Sequence, residues 1–217
     1  STGDVVNRQY EEYQWDIVDE YYRLLENARI PYGITAGNHD VNFSQEDYSE
    51  FGRVFGEDRY KNKPWYGESY QNNRGHYDTI SVGGVDFMFV YMGWGIYQTE
   101  YDWMNKVISE NPDKTVILGF HEYLGTTGVR TEIGEEIYRN VVLPNPNVQM
   151  VLCGHLHGSS SRVDEIDDDG DGVADRKVWQ LLADYQGSKN TASNYEGGDG
   201  FMRLFTFDIA NGTVDVT

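Results

Sequence analysis

Apolar and polar positions follow two rhythms along this chain. Over residues 10–27 apolar side chains recur every three to four positions, with Tyr10, Tyr13, Ile17, Tyr21, Leu24 and Leu25 near one face. That period predicts an amphipathic helix with this face turned inward. A short strand over 32–35 follows and runs into Gly37-Asn38-His39-Asp40. Residues 41–77 are polar, aromatic and irregular, and predict loops with a short helix near 45–55. Next, apolar runs over 78–82 and 85–92 flank Gly83-Gly84, a pair able to take the positive φ of a tight hairpin turn. A helix over 101–109 ends at Asn111-Pro112-Asp113. Strands over 115–120 and 148–153, with a helix around 133–142 between them, run into His121 and into Gly154-His155-Leu156-His157. Strands over 178–183 and 203–207 complete the pattern, with no internal repeat and no domain linker.

Alternating helices and strands, then hairpins, predict an α/β layered domain with a mixed sheet or two packed sheets. Three polar motifs follow the C-terminal ends of apolar strands, where open α/β sheets place ligands. The length of 217 residues suits one domain. No apolar run approaches the roughly 18 residues of a membrane-spanning helix.

Charge narrows the function classes. With 17 basic against 36 acidic residues, a net −19, the surface repels nucleic-acid backbones and excludes general nucleic-acid binding. A phosphate-bearing substrate binds only where cations invert the local potential. The acidity also suits an extracellular or cell-surface setting. Cys153 is the only cysteine, so no internal disulfide forms. Its apolar strand marks it as a small core residue.

Four of the five histidines, His39, His121, His155 and His157, fall in glycine-associated clusters after strands, and Asp4 sits in a further cluster, Gly3-Asp4-Val5-Val6-Asn7. Carboxylate, amide and imidazole donors together suit zinc, manganese or iron. The competing reading makes each histidine a hydrogen-bonded polar residue at a strand exit, which is the preferred one for His76.

The order Gly3-Asp4-Val5-Val6-Asn7, Gly37-Asn38-His39-Asp40, Gly119-Phe120-His121, Gly154-His155-Leu156-His157 resembles that of the calcineurin-like metallophosphoesterases. The tail motifs 181–186 and 197–201 resemble a secreted bacterial branch, whose domains often belong to larger surface proteins. The resemblance implies a four-layer α-β-β-α sandwich of two mixed sheets. It implies hydrolysis of phosphate mono- or diesters, small phosphate-ester substrates, by hydroxide at a dinuclear centre of manganese, iron or zinc. Asp4 would bridge the metals; Asn38, His121 and His155 would complete one site and His157 would serve the other. His39 would be the general acid, oriented by the side chain of Asn7.

The family's first motif, Asp followed two residues later by His or Gln, is absent before Gly3-Asp4. The chain is therefore expected to be a single domain over 1–217 lacking its first strand and cut within a strand at its C-terminal end. One metal held well and weak or no activity follow for this fragment, with two metals and activity in its parent. Two alternatives remain open: a non-catalytic surface binding module on the same scaffold, and a metal-dependent hydrolase of another bond.

The run 167–175 fits D-x-D-x-D-G-x-x-D, with Asp167, Asp169, Asp171, Val173 and Asp175 as candidate calcium ligands. A bare acidic turn explains the same residues. Asp184, Tyr185, Gln186 and Asp199 line a cleft or cap strands and turns. The aromatic stretch 65–77 covers the site or forms half-buried surface.

Overall fold

The computed structural model of the chain describes residues 1–187 and 200–217. Its strands are β1 (Tyr66–Tyr70), β2 (Gly75–Val82), β3 (Val85–Met92), β4 (Thr115–Phe120), β5 (Val148–Cys153), β6 (Gly158–Ile166), β7 (Arg176–Asp184), β8 (Phe205–Asp208) and β9 (Thr213–Val216). The first seven form one mixed sheet in the order β1-β2-β3-β4-β5-β7-β6. Strands β3, β4, β5 and β7 run parallel, and the pairs β1–β2, β2–β3 and β6–β7 are antiparallel.

Alternation along the strands sorts side chains to two faces. Met88, Val90, Met92, Val116, Leu118 and Phe120 pack with residues of α4 (Gln98–Ser109), α5 (Glu132–Ile137) and a π-helical turn (Tyr138–Val142). The interleaved Phe87, Ile117, Met150 and Leu181 turn the other way and meet Phe205 and Val214 of the β8–β9 hairpin. The α/β layering around a mixed sheet is the one expected. The second sheet has two strands among the described residues.

The N-terminal segment builds a separate core. Trp15 of α1 (Glu12–Asn27), Ile34, Ala36, Val41, Phe51 and Phe55 of α2 (Ser49–Phe55), and Tyr60 of α3 (Glu57–Tyr60) are buried together. The helix is where the periodicity placed it, but the inward face is the other one. Tyr10 is 72% exposed, Tyr21 65% and Ile17 48%, whereas Trp15 is fully buried. Trp15, Val18 and Tyr22 share the same three-to-four spacing, so period alone could not choose between stripes. The indole decides it, donating to the Gln9 carbonyl at 2.7 Å and packing on Phe51 and Phe55. Ile17→Ser is therefore expected to change stability by less than about 0.5 kcal/mol. Trp15→Phe, which loses a buried hydrogen bond and volume, should cost about 1–2 kcal/mol. Urea denaturation of both variants checks the assignment.

Segment 32–35, expected as a strand, is buried yet joins no ladder among the described residues. Its backbone bonds to Ser1, whose ammonium donates to Gly33 O at 2.8 Å and whose carbonyl accepts from Thr35 N at 3.3 Å. The aromatic stretch 65–77 forms β1 and the start of β2, with Tyr70 against Trp103 of α4. His76 is not a hydrogen-bonded polar residue: it is 1% exposed, its Nδ1 has no partner, and its ring stacks on Tyr91 at 4.7 Å. The first half of strand β6, Gly158-Ser159-Ser160-Ser161, carries no apolar signal. Cys153 is buried, and burial pushes its thiol pKa up to about 12.

Candidate metal centre

Parallel strands β4 and β5 end side by side, tied by a bond from Gly154 N to His121 O at 2.9 Å. The loops 2–4 and 37–39 close over these ends. His121 Nδ1 lies 2.7 Å from the Thr2 carbonyl, a contact it makes only as donor, so the lone pair of Nε2 faces inward. Around Nε2 stand Asn38 Oδ1 at 2.9 Å, His155 Nδ1 at 3.0 Å and Asp4 Oδ2 at 3.3 Å. Ligand atoms of Asp4, His121 and His155 all lie within 4.8 Å of one another.

These atoms converge with more lone pairs than protons. One divalent cation would satisfy all of them at once, and mixed imidazole nitrogen and oxygen donors suit zinc, manganese or iron. Burial works against both the Asp4 carboxylate and the His121 imidazolium, but their mutual bond and attraction outweigh it, lowering the Asp4 pKa and raising that of His121. His155 is held low by burial and by the charge of His121.

The backbone is bent to bring the ligands in. Asp4 has φ 53° and His155 φ 69°, left-handed conformations that cost a side-chain-bearing residue roughly 1–2 kcal/mol. At Gly37 a Cβ would stand 2.2 Å from Asp4 Oδ1 and 2.7 Å from His121 Cε1. Gly37→Ala must displace one of these ligands. Metal affinity is expected to fall by at least about 10-fold, read by competitive titration against a chromogenic chelator.

Asp40, which carried no role in the sequence motif, is fully buried beneath the site. Its carboxylate accepts from Val6 N at 2.9 Å and Gly37 N at 2.7 Å, clamping the two loops together. Burial pushes its pKa up to about 7 against the pull of those backbone bonds.

His39 is exposed beside the cluster; its backbone N–H donates to Asp4 Oδ1 at 3.1 Å. Its Nδ1 is 2.9 Å from the main-chain carbonyl of Asn7, so the expected orientation by the Asn7 side-chain amide is corrected: the backbone does it. His157, expected at a second metal, lies outside the cluster. The chain turns away at Gly158 (φ 146°) to begin β6, leaving the His157 ring exposed near Gly187. Sequence reasoning also missed Thr2, which acts through its carbonyl, and Trp94, whose ring packs on His121 and His155 at 5.8 and 5.4 Å. Trp94 follows β3 as His121 follows β4, and that position was the signal available.

In the acidic loop, oxygens of Asp167, Asp169 and Asp175 lie within 4.8 Å of one another. Asp171 stands outside that group and accepts from Val173 N. Asp167 already accepts from Gly170, Asp171 and Gly172 N–H groups, so the turn also closes on its own bonds. Asp168 turns away to pair with the buried Arg176. Asp184 accepts from Gln186 N, and the Arg203 guanidinium lies over Tyr185, both contacts that fix local chain. Asp199 lies outside the described residues.

The chain is 50% identical over 216 residues to the uncharacterized protein YvnB of Bacillus subtilis (strain 168), covering all of this chain and 16% of that protein. It thus spans less than a fifth of that relative's length. A solved structure described as GAP50, the anchor in the inner membrane complex of Plasmodium, is 11% identical with a TM-score of 0.39, covering 94% of this chain and 78% of that one. A family model described as calcineurin-like phosphoesterase matches residues 1–159, which span every ligand of the cluster, and the chain belongs to that family.

Proposed function

We propose that this chain hydrolyses phosphate mono- or diesters with a divalent transition metal held by Asp4, Asn38, His121 and His155. The observation that carries this is the convergence of their four lone-pair atoms at one point. A cation bound there lowers the pKa of water and neutralises phosphoryl charge. The remaining work falls to the chain. Arg8 lines a basin of about 500 Å³ with Asn38 and His39, where its guanidinium would attract a phosphate group. His39, its Nδ1–H held by the Asn7 carbonyl, would in its imidazolium form carry a second proton on Nε2 and pass that proton to the departing oxygen. For a second metal the described residues supply Asp4 and, after a swing of its exposed ring, His157. That is fewer than the three protein ligands a catalytic metal usually has, so we propose one firmly held ion.

The test compares manganese-loaded and EDTA-treated protein on p-nitrophenyl phosphate and bis(p-nitrophenyl) phosphate. Bound manganese without turnover of either ester would favour the non-catalytic binding module. His39→Ala should slow alkyl esters, whose leaving oxygen needs a proton, by about 10²–10⁴-fold while affecting p-nitrophenyl esters far less. Asn7→Ala should stay within about 3-fold, because the contact is through the main chain. Equal losses on both ester types would remove His39 from the general-acid role. For loop 167–175, melting with and without calcium separates the ion from the self-bonded turn: binding raises the midpoint by mass action.

A further inference from the structure

A cavity of about 190 Å³ opens beside the metal cluster, lined by Trp94, Tyr97, Ile96, Ile133, Glu46 and Glu122 together with His121. Its walls are apolar and aromatic, and its charged lining residues are both acids. Glu46 is already committed, pairing with Arg74 at 3.1 Å and accepting from the Tyr97 hydroxyl. Glu122 is not. Its side chain is 22% exposed, and the nearest basic nitrogen is His155 Nε2 at 4.0 Å, too far for a hydrogen bond. No other hydrogen bond reaches its carboxylate among the described residues. A half-buried carboxylate among Trp, Tyr and Ile side chains is costly alone and well matched to an organic cation, which also gains from aromatic faces.

The cavity's place relative to the chemistry sets which part of a substrate it holds. His39, the proposed proton donor to the leaving oxygen, lines the separate basin with Arg8 and not this one. The cavity therefore receives the ester arm that stays on phosphorus. His155 separates Glu122 from the cluster by one imidazole, so phosphate at the cluster and a cation at Glu122 are joined by a short alkyl linker.

We propose that the substrate is a zwitterionic phosphodiester whose retained arm ends in an alkylammonium group, selected by Trp94, Tyr97 and Glu122. This rests on the phosphoesterase reading above. In the reaction a water oxygen bonds to phosphorus and the bond to the leaving alcohol breaks. The alcohol takes its proton from His39, and the ammonium-bearing arm remains on the phosphomonoester product.

The experiment measures kcat/KM for p-nitrophenyl phosphorylcholine against its uncharged isostere, p-nitrophenyl 3,3-dimethylbutyl phosphate, on manganese-loaded protein. Shape is equal, so the ratio reads charge alone and cancels any loss of metal. The cationic ester should be preferred by about 10-fold. Glu122→Gln and Trp94→Leu should each bring the ratio close to one. A ratio of one in the parent protein, or a ratio unchanged in the variants, overturns the proposal. So does an equal fall for both esters with weaker manganese binding in Glu122→Gln, which would make Glu122 a support for His155 only. Failure of the phosphoesterase reading looks different: no p-nitrophenolate from any ester, bis(p-nitrophenyl) phosphate included. Calorimetry then decides, with phosphocholine expected to bind more tightly than 3,3-dimethylbutyl phosphate and equal affinities overturning the proposal.

Discussion

His121→Ala is expected to lower transition-metal affinity by at least about 100-fold, the upper end of what loss of a mere supporting contact costs. Phosphoester hydrolysis should fall with it, on the order of 10²–10³-fold, because charge stabilisation at phosphorus is lost. The reason is positional. Nε2 of His121 is the atom that Asn38, His155 and Asp4 all approach, within 2.9 to 3.3 Å. Its Nδ1 bond to Thr2 also fixes the N-terminal loop that carries Asp4. The competing effect, loss of ring packing against Trp94, is worth only about 0.5–1.5 kcal/mol and would not by itself empty the site. Elemental analysis, metal titration and turnover measured on one preparation separate these outcomes. A variant that keeps its metal and loses turnover would show that His121 serves the reaction without ligating.

Why some of this was readable from the chain and some was not has a physical basis. Strands β4 and β5 occupy 115–120 and 148–153 as expected, because strands flanked on both sides read as short apolar runs stopped by Gly and His. The same runs deliver His121 and His155, and the geometry gathers them with Asp4 and Asn38. Contacts made by main chain were silent. Neither Thr2 nor the Asn7 carbonyl leaves a side-chain signature, so His39 was assigned the wrong partner atom of the right residue. His157 was assigned to a second metal by the resemblance, on its place in Gly154-His155-Leu156-His157. Residue 155 sits in a left-handed turn and β6 begins at 158, so the two rings part. On α1 the exposed Tyr13, Tyr21 and Leu24 counted as apolar, although a tyrosine satisfies a periodic pattern without needing burial. Trp94 and Glu122 lie where strand order brings β3 and β4 together, information that resides in topology rather than in local pattern.

Asp40→Ala is expected to cost about 3–5 kcal/mol, since it strands two buried backbone donors at roughly 1–3 kcal/mol each and adds a small void. Against a typical total of about 5–15 kcal/mol, that is a large part of the fold's stability. The carboxylate is fully buried and is the acceptor for Val6 N and Gly37 N, one from each loop that carries a ligand. Asn at this position can accept from one of them and must point its amide donors at the other, so Asp40→Asn should lose roughly half as much. Part of the native carboxylate's contribution is offset by its burial, which holds its pKa near 7 and opposes ionisation. The two loops position Asp4 and Asn38, so the effect should couple to metal. Manganese should raise the urea midpoint of the parent protein by mass action and raise that of Asp40→Ala less. A loss below about 1 kcal/mol would mean that packing of Val6 and Ala36 in the N-terminal core, rather than the Asp40 clamp, holds the loops in place.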